Sequence, residues 1–130
     1  MASKIHGTFL FLGIIAVIIT GCVSTPSAPA RVNHVVICWL KRAGNATDRL
    51  KIIEASRSFK SIPGVLGIRT GTSIASSRKI VDDSYDVAIS LSFANTNDLN
   101  AYLQHPIHTK VKHETLLPLI NKIVVYDFQE

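Results

Sequence analysis

A tyrosine and two histidines lie within the stretch AYLQHPIH, residues 101–108, and these residue types carry acid–base chemistry. A neutral histidine accepts a proton near neutral pH, and a phenol donates a hydrogen bond to an oxygen that becomes anionic. Tyr102 and His108 could therefore remove a proton from a carbon next to a carbonyl. Pro106 interrupts the stretch, so the two side chains meet only if the turn at His105 brings them together.

Each of these side chains also has a structural interpretation. Tyr102 could be a core aromatic residue, and His105 could end a helix by bonding a backbone carbonyl. His34 shares a strand face with Val36, which suits either a buried core histidine or a pocket residue. We predict a ligand pocket that includes His34 and His105, with His108 and Tyr102 as its catalytic pair.

We do not expect a metal site, although His105, His108 and His113 are close in sequence. Pro106 disturbs the helical spacing between the first two, and no carboxylate joins the three in a ligand pattern. The sequence therefore predicts a site without metal or cofactor.

The elements that would position these residues form one domain, residues 32–130. Alternating apolar residues predict strands, and apolar residues at helical spacing predict helices. The predicted elements are strands at 32–40, 65–74, 85–93 and 122–129, a polar loop at 75–84, and helices at 47–61 (capped by Asn45 or Thr47), at 95–103 and from Pro106 to Ile120. The order β-α-β-β-α-β predicts a ferredoxin-like α+β fold, a four-stranded antiparallel sheet with helices on one face.

The other face of that sheet would carry apolar residues without a helix to cover them. An uncovered apolar sheet face is commonly covered by a second copy of the chain, so we expect a homodimer.

The N-terminus has the layout of an export signal, with Lys4 before an apolar run and small residues after it. The run from Thr8 to Ile19 is shorter than the ~20 residues that a spanning helix needs. Residues 19–22, Ile-Thr-Gly-Cys, resemble the lipobox of bacterial lipoproteins, in which cleavage precedes a cysteine that receives a diacylglycerol. The competing interpretation is an uncleaved signal anchor with a buried Cys22.

The lipobox resemblance implies a signal peptide at residues 1–21, a lipidated Cys22 and a tether that extends to residue 31. Val23, rather than aspartate, follows the cysteine, which favours the outer membrane. The expected location is the bacterial cell envelope, on the outer membrane facing the periplasm, with the N-terminal lipid in the bilayer. Acylation of Cys22 would leave Cys38 without a disulfide partner.

Nucleic acid is not an expected partner. The formal net charge is only +5 over 130 residues, and the longest basic runs are the pairs Lys41-Arg42 and Arg78-Lys79. Neither pair is interleaved with aromatic residues.

Five pieces of the domain together resemble the stress-responsive A/B barrel family. They are VNHVVICWLK at the first strand, IPGV after the first helix, YDVAISLSF at the third strand, LNAYLQHPIH, and VVYDF near the end. The resemblance implies a dimeric α+β barrel over residues 32–130.

One branch of this family, a plant polyketide cyclase, closes a ring by intramolecular aldol condensation. Similarity to it implies that Tyr102 and His108 act together on a substrate and that His34 faces the pocket. A further pocket histidine of the cyclase aligns with Val87 here.

The expected function is that of a lipid-anchored barrel protein that binds a small hydrophobic molecule between sheet and helices. One alternative is a cyclase-like or other cofactor-free lyase or isomerase that uses the histidine and tyrosine pair. The other is a non-catalytic structural protein of the envelope.

Overall fold

The computed structural model describes residues 31–130, so the predicted signal peptide and Cys22 lie outside the described residues. The strands are β1 (Val32–Leu40), β2 (Val65–Gly71), β3 (Val87–Phe93) and β4 (Ile120–Gln129). The helices are α1 (Ala46–Arg57), which continues as a 3₁₀ turn (Ser58–Ser61), α2 (Thr96–Gln104) and α3 (Pro106–Val111), which continues as a π turn (Lys112–Leu116) and a short last turn (Leu117–Leu119).

The four strands form one antiparallel sheet in the order β2-β3-β1-β4. Alternate residues of β1 and β3 are buried, which is the pattern of a sheet with helices on one face. This arrangement confirms the predicted ferredoxin-like α+β fold with a four-stranded antiparallel sheet.

Local sequence explains where the first two helices begin and end. The Asn45 side chain accepts a hydrogen bond from the Asp48 N–H at 3.0 Å, and Asn95 caps α2 in the same way. The 3₁₀ turn after α1 ends at Ser61, just before Ile62, Pro63 and Gly64. Gly64 has a φ of +89°, a left-handed conformation that favours glycine.

The predicted long helix from Pro106 to Ile120 is interrupted. Beyond α3 the Leu117 N–H donates to the Lys112 carbonyl, a π-type bond, and Ile120 already belongs to β4. Pro118 has no N–H, and its ring clashes with the carbonyl four residues before it in a regular α-helix. The chain therefore widens into a π turn before Pro118.

One contiguous core lies between the sheet and the helices. Its residues include Val36, Leu40, Ile52, Phe59, Val87, Ile89, Leu91, Phe93, Leu99 and Tyr102. Cys38 is fully buried within it, and burial raises the pKa of this thiol to about 11.

The opposite face of the sheet, here called the outer face, carries Val35, Ile37, Trp39, Val124, Tyr126 and Phe128. Tyr126 and Phe128 are 60% and 52% exposed. None of the helices in residues 31–130 is long and apolar enough to cross a membrane.

Candidate active site

A pocket of about 210 Å³ lies between the helices and the inner face of the sheet. Its walls are apolar, formed by Val36, Phe59, Ile89, Leu91, Leu103, Leu116, Ile123 and Val125. Its polar groups come from β1 (His34), α2 (Tyr102), α3 (His108) and the π turn (Lys112). Ile123 and Val125 of the edge strand β4 are 43% and 44% exposed, so they mark the opening of the pocket.

The predicted catalytic residues Tyr102 and His108 are brought together by the junction between α2 and α3. Their ring centroids are 4.6 Å apart, and both side chains line the pocket. Pro106 occupies the first turn of α3, where its missing N–H costs no hydrogen bond, so α3 can start directly after α2. The break in the sequence is therefore the feature that lets the two rings meet.

Tyr102 is only 1% exposed, and its ring packs against Phe59 and Phe93. No hydrogen bond within residues 31–130 involves the Tyr102 hydroxyl. Every fully buried polar side-chain atom of those residues does have a partner, so the hydroxyl oxygen is not fully buried. The hydroxyl oxygen must then reach the open space of the pocket. Burial raises the pKa of Tyr102 well above its usual value, so the side chain remains a phenol that donates a hydrogen bond.

His108 has a defined tautomer. Its Nδ1 lies 2.9 Å from the Leu103 carbonyl oxygen, which can only accept, so Nδ1 carries the proton and Nε2 has the free lone pair. Burial lowers the pKa of His108, and the positive charge of Lys112 lowers it further, while the Leu103 hydrogen bond opposes both. The ring is therefore neutral at neutral pH and can act as a base through Nε2.

His34 is oriented by Asp127, a residue that no local sequence pattern marks as part of the site. The two residues are direct partners across β1 and β4, and His34 Nδ1 lies 2.6 Å from Asp127 Oδ1. The carboxylate accepts the Nδ1 proton and fixes the orientation of the ring. The His34 ring meets Tyr102 edge-on, at 5.9 Å between centroids.

His105, predicted to be a ligand-pocket residue, does not line this pocket. Its Nδ1 accepts a hydrogen bond from the Ile107 N–H at 3.2 Å, so the ring caps α3. The alternative interpretation of His105 is a helix-end residue that bonds a backbone carbonyl. The structure places His105 at a helix end, but its ring bonds a backbone N–H instead. His113 is exposed, and no group of three potential metal ligands forms within residues 31–130.

A larger concavity of about 380 Å³ lies on the outer face of the sheet, beside the small residues Gly67, Ser90 and Ser92. Neither a histidine nor a tyrosine lines it. The outer concavity therefore lacks the histidine and tyrosine side chains that line the inner pocket.

The inner pocket combines a neutral base, a buried phenol and a second imidazole in an apolar enclosure. A base at His108 Nε2 can take a proton from carbon, and the Tyr102 hydroxyl can bind an oxygen that gains negative charge. Such a site suits proton transfer on a small apolar molecule that has a carbonyl group.

Comparison with solved structures shows the same fold. A dabb family protein with a ferredoxin-like fold from Mesorhizobium loti is 21% identical, with a TM-score of 0.63 over 76% of this chain and 95% of that one. A dimeric protein of unknown function from Bacteroides fragilis is 17% identical, with a TM-score of 0.60 over 77% of this chain and 96% of that one.

A third similar structure is an enzyme, the hydroxynitrile lyase from Passiflora edulis. It is 21% identical, with a TM-score of 0.68 over 79% of this chain and 95% of that one. No curated protein matches the chain significantly. The model of the Stress responsive A/B Barrel Domain matches residues 32–130, and the chain therefore belongs to that family.

Proposed function

We propose that this protein binds a small apolar carbonyl compound in the inner pocket and moves a proton on it. His108 is the base, and Tyr102 is the hydrogen-bond donor to the carbonyl oxygen. The observation that carries the proposal is the approach of these two rings, at 4.6 Å, in the wall of an open pocket. An interior filled by its own side chains would instead have favoured a purely structural role.

In the proposed step, the C–H bond next to the carbonyl breaks and its proton passes to His108 Nε2. The electron pair moves to the carbonyl oxygen, where the Tyr102 hydroxyl stabilises the enolate. Return of the proton to another carbon gives isomerisation, loss of a leaving group gives elimination, and attack on a second carbonyl gives ring closure. A hydroxynitrile lyase with the same fold supports a catalytic role for a pocket in this fold.

The experiment is deuterium exchange, measured by NMR, at the protons next to the carbonyl of phenylacetone. This small apolar ketone tests proton removal directly, without knowledge of the natural substrate. The full chain should speed the exchange above the buffer rate. His108→Asn keeps an N–H near the position of Nδ1 but removes the base, so it should lower the rate by about 10²-fold or more. Tyr102→Phe should lower it by at least about tenfold, because the enolate loses a hydrogen bond.

His113→Asn is the matched control, because this exposed histidine follows α3 and does not line the pocket. It should exchange the ketone at the wild-type rate. A ketone that binds in the pocket, seen by chemical-shift changes, but exchanges only at the buffer rate would contradict the catalytic proposal.

We also propose that Cys22 carries a lipid that holds the domain at the bacterial cell envelope, on the outer membrane facing the periplasm. The support is the Ile-Thr-Gly-Cys sequence after the apolar run. A labelled fatty acid fed to an expressing bacterium should enter the full chain and the Cys38→Ala control but not Cys22→Ser. Label that persists in Cys22→Ser would exclude this anchor.

We further propose that two copies pair through the outer face. The support is the exposed apolar residues there, together with similar structures that are described as dimeric.

A further inference from the structure

Lys112 is the one cationic side chain among the residues that line the inner pocket. It is partly buried and lies in the π turn, where the chain leaves α3. Lysine side chains commonly run along apolar surface and keep the ammonium group at the water boundary. Lys112 thus places a positive charge at an otherwise apolar site, beside the predicted base His108.

His108 and Lys112 are four residues apart at α-helical spacing, and the π turn that follows keeps Leu116 on the same side. In an α-helix, residues four apart rotate past one another by about 40°, because one turn takes 3.6 residues. A π turn takes more than four residues, so it offsets that drift. His108, Lys112 and Leu116 consequently line one pocket from three successive turns.

The charge of Lys112 is uncompensated within residues 31–130. No carboxylate lies within 4.0 Å of its ammonium group, and no hydrogen bond or aromatic ring engages it there. Two other lysines differ, because Lys41 bonds the carbonyls of residues 117 and 118, and Lys122 lies over the Trp39 ring at 4.2 Å. The lining of the pocket contains no acidic residue either.

On the sheet side, the carboxylate of Asp127 is already bonded to the pocket residue His34. The pocket therefore presents a cation, a phenol donor and apolar walls, but no negative group to neutralise the cation. An anion inside such low-polarity surroundings interacts with a cation more strongly than it does in water.

We propose that the ligand of the inner pocket is a small apolar acid, whose carboxylate pairs with Lys112 at the opening. This inference rests on the proposed function and names its substrate class: a carbonyl compound that also carries a carboxylate. The apolar part lies against the walls, the carbonyl meets Tyr102, and the carboxylate meets the ammonium group. The volume of about 210 Å³ is below the roughly 300–1,000 Å³ of pockets for drug-sized ligands, so the acid is small.

The test compares phenylacetate with phenylacetamide, which have nearly the same shape and differ in charge. Both are titrated by NMR into the full chain, with the same neutral detergent in every sample. Wild type should bind phenylacetate about tenfold more tightly than the amide, as expected for a charge-assisted hydrogen bond. Lys112→Met keeps an apolar stem of similar length and should abolish this preference, whereas Lys112→Arg should retain it.

Lys110→Met is the control, because Lys110 is exposed on α3 and does not line the pocket. It should show the wild-type preference for the acid. If both probes bind equally to wild type, or if the preference survives in Lys112→Met, the acid inference is overturned while the pocket itself stands. If neither probe causes shifts in the pocket residues of wild type, small-molecule binding in this pocket is contradicted, and the inference falls with it.

Discussion

At the scale of single residues, the site depends on two histidines whose Nδ1 atoms are both engaged. His108 bonds the Leu103 carbonyl, which leaves its Nε2 free, and His34 bonds Asp127, which orients its ring. Histidine is versatile because both nitrogens can carry the proton, and its partners decide which one does. The acid–base capacity of this pocket therefore depends on partners as much as on the histidines themselves.

Asp127→Asn tests whether Asp127 positions His34. The neutral amide accepts the Nδ1 proton less strongly and can also turn its own N–H toward the ring. The rate of phenylacetone exchange should fall by at least about tenfold, while the affinity for the ketone stays near wild type. Glu130→Gln is the control, because Glu130 is an exposed residue just after β4, and it should exchange the ketone at the wild-type rate. An unchanged rate in Asp127→Asn would show that His34 takes no part.

The pH dependence follows from the lowered pKa of His108. Its ordinary value is 6.5, and burial together with the charge of Lys112 lowers it. As pH falls, exchange should stay on its plateau through 6.5 and decline only below that value, at the lowered pKa. Between the two values the unfolded chain holds a proton that folded His108 does not, so this histidine also lowers stability as pH falls below 6.5.

Lys112→Met tests whether the charge of Lys112 contributes to the lowered pKa of His108. Loss of a nearby positive charge should raise that pKa and move the decline in exchange rate toward higher pH. A decline at or above pH 6.5 in wild type would contradict the neutral base.

At the scale of elements, the corner between β1, α1 and β3 is held by one buried acid, Asp86. Its carboxylate accepts hydrogen bonds from the Leu40 and Gly44 N–H groups and from Arg49. Burial on its own would raise the pKa of Asp86, but these hydrogen bonds outweigh it and lower the pKa. The carboxylate is thus charged and fully paired in the folded protein.

Asp86→Ala should cost about 2–4 kcal/mol in the free energy of unfolding at neutral pH, because buried donors lose their acceptor. Glu54→Ala, an exposed change on α1, should stay within about 0.5 kcal/mol of wild type. Urea unfolding followed by circular dichroism measures both. A loss below about 1 kcal/mol for Asp86→Ala would mean that other groups hold the corner.

Element order was predictable from the sequence because alternation, helical spacing and caps are local signals. Asn45 was predicted as one of two caps for α1, and the structure uses it. Residues 72–74 were predicted to extend β2, but that strand ends at Gly71. The π turn was not predicted, because Pro118 indicates that a helix is disturbed without indicating how the chain adapts.

Part of the candidate site was also predictable from the sequence. Tyr102, His108 and His34 do line the pocket, and their positions follow from a family resemblance and strand pattern. Asp127 was missed because its contact with His34 depends on the register between β1 and β4, which joins residues far apart in sequence. His105 was predicted to line the pocket, yet it caps α3, since the backbone N–H groups at a helix start compete for nearby side chains.

At the scale of the whole molecule, the two faces of the sheet have different surroundings. The inner face supports the helices and the pocket, and the outer face exposes apolar residues. On that face, Val35 lies opposite Tyr126 and Ile37 lies opposite Val124. Exposed apolar area of this kind is commonly an interface, and the proposed homodimer would cover it.

Tyr126→Glu should weaken that dimer by at least about 100-fold, because it would bury an unpaired charge. Leu50→Glu is the control, because Leu50 is 52% exposed on α1, away from the outer face. Sedimentation velocity should show a dimer for wild type and Leu50→Glu and a monomer for Tyr126→Glu. A monomeric wild type would contradict pairing through the outer face.

The proposed catalysis depends on a free Nε2 at His108, whose ring lies 4.6 Å from the Tyr102 ring in an open pocket. The most direct test is a nitrogen-15 NMR spectrum of the histidine rings at neutral pH, with and without phenylacetone. We expect a neutral His108 with the proton on Nδ1, and an Nε2 resonance that shifts when the ketone binds. A charged ring, a proton on Nε2, or an Nε2 resonance that stays unchanged at saturating ketone would contradict it.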